Sequence, residues 1–157
     1  MDNGVWGVSL IALTMALHAT GVTCMVSALH NFRVRLQRRT HVLPYATVIL
    51  IALFTVMGLL LAVLHGLEAM LWAAAYLWLG ALDSPGAAFL YSIDSMATRG
   101  ASGAVLAPHW QMLGALEAGD GMLLFGISAA SIFTVMQYYY QQLAIQRPAN
   151  PPAPNTL

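Results

Sequence analysis

The residues best placed to do chemistry are ionisable side chains set inside apolar runs. His65 and Glu68 lie three apart, and Glu117 and Asp120 repeat that spacing. Residues three apart share one face of a helix. Charge at membrane depth is costly enough that such residues are functional candidates by default. The four can act in two ways. They can hydrogen-bond between helices and lock one against another, or converge as a carboxylate–histidine site for a divalent metal, as in helix bundles. Both readings stand, and no metal is assigned. His18 and Cys24, in the first apolar run, read as packing residues. Cys24 is the only cysteine, so no intramolecular disulfide exists, and it reads as a small buried hydrophobe.

A second constellation is Thr98-Arg99-Gly100-Ala101-Ser102-Gly103, preceded by Asp94. Its glycines and small residues favour extended, unusual backbone. No nucleophile–base arrangement, phosphate-binding loop or cofactor motif accompanies it, so the expectation is a protein without enzymatic activity.

These residues sit in a chain of 157 residues that is 59% hydrophobic and 8% charged. Soluble domains carry about 25% charged residues, so the expected solvent is a lipid bilayer. A net charge of zero argues against a nucleic-acid partner, and no soluble partner is predicted. Three stretches meet the criterion of about twenty apolar residues: about 6–29, a second from 43 that extends to 79, and about 112–136. No Lys or Arg precedes the first, so a retained segment rather than a cleaved signal is expected.

All six basic residues are Arg, and Arg33, Arg35, Arg38 and Arg39 fall between the first two stretches, with Arg147 after the third. The positive-inside rule then places that loop and the C-terminus in the cytoplasm and the N-terminus outside. The second stretch is too long for a hydrocarbon core of roughly 30 Å. One long helix projecting outward is expected, rather than a break at His65-Gly66. Trp72, Tyr76 and Trp78 suit an outer interfacial belt. In the third stretch Gly114, Gly119, Gly121, Gly126 and Ser128 permit close helix approach. The Pro-rich tail after 148 cannot form a core and is expected to be disordered.

Between the second and third spans, Ser84 can cap a helix and Pro85 suits its first position. A pore helix over about 84–97 follows, then a filter-like loop over 98–103, with Pro108-His109-Trp110 marking the return. Non-helical backbone at membrane depth survives only when buried in protein or lining a water-filled cavity. Short helix, small-residue strand and second span are the layout of a pore loop, whose carbonyls can replace an ion's hydration shell. One chain supplies one loop, so four chains are expected around an axis.

Over about 60–136 the chain resembles the potassium-channel superfamily, specifically small bacterial pore-loop ion-channel proteins with an extra N-terminal helix. The resemblance rests on His65-x-x-Glu68, Trp72-x-x-x-Tyr76-x-Trp78-Leu79-Gly80-Ala81, Leu90-Tyr91-Ser92, Thr98-x-Gly100 and Leu113-Gly114-Ala115-Leu116-Glu117-Ala118. It implies the filter pattern Thr-Val/Leu-Gly-Tyr-Gly-Asp at 98–103. Ala101 replaces the bracing Tyr, Ser102 the second Gly and Gly103 the Asp, so potassium selectivity is expected to be altered or lost. The resemblance places Asp94 behind the filter. An Arg99–Asp94 pair would neutralise both charges; four Arg99 side chains on the axis would repel cations.

The expectation is an all-α membrane protein of the bacterial inner membrane: three transmembrane helices, a re-entrant pore helix and filter-like loop between the second and third, assembled as a homotetramer. Its parts are 1–42 (first helix and Arg-rich loop), 43–137 (two-helix pore domain) and 138–157 (tail). Three functions follow: a cation channel, a channel-like protein that does not conduct, or a membrane metal-binding protein. No cofactor is expected beyond a permeant or bound monovalent cation.

Overall fold

The computed structural model describes residues 3–37, 46–100 and 103–145. The chain is all-helical there: α1 (Asn3–Gln37), α2 (Ala46–Trp78), α3 (Pro85–Met96) and α4 (Gln111–Ile145), with a single 3-10 turn at Pro108–Trp110 leading into α4. Three of these helices contain apolar segments long enough to cross a membrane, Gly4–Phe32, Val48–Trp78 and Pro108–Gln141. Arg38, Arg39 and Arg147, the Pro-rich tail, and Ala101 and Ser102 of the filter-like loop lie outside the described residues.

α2 passes through His65-Gly66 without a break. Its 33 residues make a rod of about 50 Å at 1.5 Å per residue. α2 ends because Gly80 reverses the chain. Gly80 sits at φ 69°, its N–H donates to Leu77 O at 3.1 Å, and that of Ala81 donates to Tyr76 O at 2.9 Å. This is a Schellman ending, which glycine enters without a Cβ penalty. α3 begins as the sequence predicts, with the Ser84 hydroxyl accepting from the Ala87 N–H and Pro85 in the first turn.

Lipid offers no hydrophobic force between helices, so close packing and polar contacts must hold them. Two apolar clusters do the packing. Toward the C-terminal end of α1, Val22, Met25 and Leu29 meet Leu53, Met57 and Leu61 of α2 and Val135 of α4. Toward α3, Trp72 and Tyr76 pack with Leu106 and Leu113. Between them the buried faces turn polar. Among the described residues, four acidic side chains, Glu68, Asp94, Glu117 and Asp120, are buried. The helix period aligns the participants: Thr14 and His18 on α1, His65, Glu68, Trp72 and Tyr76 on α2, and Glu117, Asp120, Leu124 and Ser128 on α4 recur every three or four residues.

Two expectations fail here. Trp72 and Tyr76 form no interfacial belt; both are fully buried, and only Trp78 of the three is exposed. Cys24 is not a buried hydrophobe but lies exposed on α1. Its register turns it about 120° away from the stripe that carries Thr14, His18 and Val22.

Candidate functional site

Two sites adjoin: the loop leaving α3, and the polar core beneath it.

α3 is fixed onto α4 by a missing side chain and a hydrogen bond. A Cβ at Gly121 would run into the Met96 backbone, so only glycine lets the last turn of α3 lie directly on α4. Two turns away, Ser95 Oγ donates to Gly114 O at 3.0 Å. The Tyr76 and Tyr91 rings meet edge to face with centroids 5.3 Å apart, joining α3 to α2. α3 then ends with the same kind of reversal as α2: Thr98 N–H donates to Ser95 O and Arg99 N–H to Asp94 O, both at 2.9 Å. The residue in the glycine position is Thr98, at φ 56°. A β-branched residue there is an outlier, and left-handed backbone costs a non-glycine residue roughly 1–2 kcal/mol. Gly100 and Gly103 follow at φ 73° and 109°. Such strain persists only where the surroundings impose it, and it concentrates at functional sites.

Arg99 turns back toward its own helix. Its Nη1 lies 3.2 Å from Asp94 Oδ1; the Arg99 side chain is 70% exposed and that of Asp94 1%. The pair therefore ties a surface cation to a buried carboxylate. Farther along, Leu106 returns to the core against Trp72, Tyr76 and Leu113, which brings the chain back toward α4.

Beneath the loop, the carboxylates divide into two groups. In the first, Tyr76 Oη donates to Glu117 Oε2 at 2.7 Å. Trp72 Nε1 donates to Asp120 Oδ2 at 3.0 Å, and Thr14 Oγ1 donates to the same oxygen at 2.7 Å. Every donor is a neutral hydroxyl or indole. In the second, His18 Nδ1 lies 2.8 Å from Glu68 Oε1 and His65 Nδ1 lies 3.3 Å from Glu68 Oε2. On the far side of both rings, Ser128 Oγ is 3.0 Å from His18 Nε2 and 3.1 Å from His65 Nε2. Glu68, His18, Ser128 and His65 thus close a ring through three helices.

His65 and Glu68 do meet, as their spacing requires. Glu117 and Asp120 do not join them; they are taken up by Tyr76, Trp72 and Thr14. Of the described residues, the ligand-type side chains close enough to share an ion are His18, His65 and Glu68, whose ligand atoms lie within 4.8 Å of one another. Sequence reasoning missed the roles of His18, Thr14 and Ser128. The one signal for them is that Thr14 and His18 are four apart, one helical turn, and so can serve two carboxylates from one face of α1. No family model matches the chain, and no curated protein or solved structure matches it either.

Proposed function

We propose that this chain is a subunit of a homotetrameric pore-loop ion channel, related to the potassium-channel superfamily, that passes cations with altered or lost potassium selectivity. The observation that carries this reading is the 12-residue α3 with its strained exit, held between two long apolar helices. The helix is too short to span a bilayer. Its C-terminal end, the negative pole of the helix dipole, leads directly into the loop and favours a cation there. Thr98, Gly100 and Gly103 all hold positive φ, a backbone unlike either a strand or a helix. In this reading α3 is the pore helix, residues 98–103 stand in place of the filter, and α2 and α4 are the outer and inner helices.

The Arg99–Asp94 pair supports cation passage, because it sets the Arg99 charge against a buried carboxylate instead of leaving it free to face a pore. The Arg cluster at 33–39, which begins within the last turns of α1, orients the N-terminus outward and the C-terminus to the cytoplasm of a bacterial inner membrane. The reading assigns no catalysis.

Flux of K⁺, Na⁺ and Cl⁻ through protein reconstituted in liposomes tests it. Cation flux is expected from the wild-type chain, with the K⁺/Na⁺ preference weak. Cation passage would also dispose of a ring of four Arg99 side chains on the axis. Absence of flux from both the wild type and Arg99→Leu would instead support a channel-like protein that does not conduct.

A further inference from the structure

The ring of Glu68, His18, Ser128 and His65 turns two imidazoles onto one buried carboxylate: His18 Nδ1 lies 2.8 Å from Glu68 Oε1 and His65 Nδ1 lies 3.3 Å from Glu68 Oε2. Glu68 Oε2 accepts no aligned hydrogen bond in a side chain only 1% exposed, as is true of one oxygen of Glu117 and of Asp120. At Glu68 alone imidazole nitrogens stand beside the carboxylate, a setting that suits a bound cation.

We infer that the ring holds a divalent transition metal of the zinc class, bound by His18, His65 and Glu68. The inference goes beyond the channel reading. The donor set of two imidazoles and a carboxylate is a zinc-type combination. Both Nδ1 atoms already face the carboxylate, and all the ligand atoms lie within 4.8 Å of one another. A tetrahedral ion with bonds of about 2.0–2.1 Å holds its ligand atoms roughly 3.4 Å apart, so shifts of about an ångström complete the shell. Ser128 supplies the supporting contact that metal-bound histidines require. Its oxygen can accept from both Nε2–H groups, which fixes each imidazole in the tautomer that aims its Nδ1 lone pair at the ion. The two rings are already side by side, with centroids 5.1 Å apart.

His65 is 28% exposed and lines a cavity of about 360 Å³ with Ala69, Met96, Ala97, Gly121 and Phe125, so one of the three ligands is not sealed inside the helices. Because the ligands come from α1 and α2 and Ser128 from α4, the metal would clasp all three long helices.

The test uses the full chain in detergent micelles, stripped with a chelator and titrated with Zn²⁺ and Co²⁺. The expected result is one ion per chain, with the visible bands of four-coordinate Co²⁺ and a raised melting temperature. His18→Ala, His65→Ala and Glu68→Gln should each abolish the bands and the thermal shift. Ser128→Ala should weaken binding about 10–100-fold, and Glu117→Gln should leave it unchanged. His65→Ala, at the partly exposed ligand, is the variant expected to fold without metal and serves as the reference for the others. A folded wild type that binds no ion would overturn the inference. Binding that survives His65→Ala and Glu68→Gln would also overturn it, as adventitious binding elsewhere. Neither result bears on flux, which is measured separately.

Discussion

The two groups of buried carboxylates lie close together along the helices and are built from different chemistry. Around Glu117 and Asp120 the hydrogen bonds come from neutral groups, a phenol, an indole and a threonine hydroxyl. Such contacts fix the helices in register. Around Glu68 the partners are imidazoles, which can donate, accept or ligate from either nitrogen. The first group is a lock; the second is a site that something can occupy. Burial alone does not separate them, since Glu68, Glu117 and Asp120 are all about fully buried. The partner's chemistry does.

The comparison can be broken experimentally. Asp120→Ala should have the largest effect. It strands the Trp72 indole N–H, and an unpaired buried group costs about 1–3 kcal/mol; the Thr14 hydroxyl turns to the Leu10 and Ile11 carbonyls. A loss of about 1–3 kcal/mol is expected in denaturant or SDS unfolding of the micellar protein, the same with chelator as with metal. Tyr76→Phe, which leaves Glu117 Oε2 without its donor, should cost about 1–2 kcal/mol, again without regard to metal. His65→Ala in chelator should cost least, about 0.5–1 kcal/mol, since its side chain is partly exposed and one weak hydrogen bond is lost. If His65→Ala in chelator proved as damaging as Asp120→Ala, both groups would be locks and the distinction would collapse.

Much of the fold is legible in the sequence. Three spans follow from composition and length, and the start of α3 from Ser84-Pro85. The ending of α2 at Gly80 follows a signal that sequence carries openly, because glycine accepts left-handed backbone freely. The end of α3 carries no such signal, because the residue in that position is Thr98.

The polar core is legible only in part. His65–Glu68 is a local relation within one helix and can be read. Thr14–Asp120 spans 106 residues and His18–Glu68 spans 50, and a rotation of α1 by half a turn would remove both. Thr14 is also inconspicuous, since its hydroxyl lies 3.0 Å from the carbonyl oxygens of both Leu10 and Ile11, as a threonine in any apolar helix can. Trp72 and Tyr76 mislead for a related reason. An aromatic ring with a polar tip suits a bilayer interface and a buried carboxylate equally well, and hydropathy does not tell the two apart.

The position of α1 bears on how the protein is made. Synthesis delivers α1 before α2 and α4, carrying Thr14 and His18 into lipid ahead of their carboxylate partners. The partner of His18 emerges 50 residues later, and that of Thr14 only with α4. During that interval the carboxylates that these two side chains meet in the folded chain are absent. Neither carboxylate group is complete until α4 has entered the bilayer, so α4 is the helix that closes both.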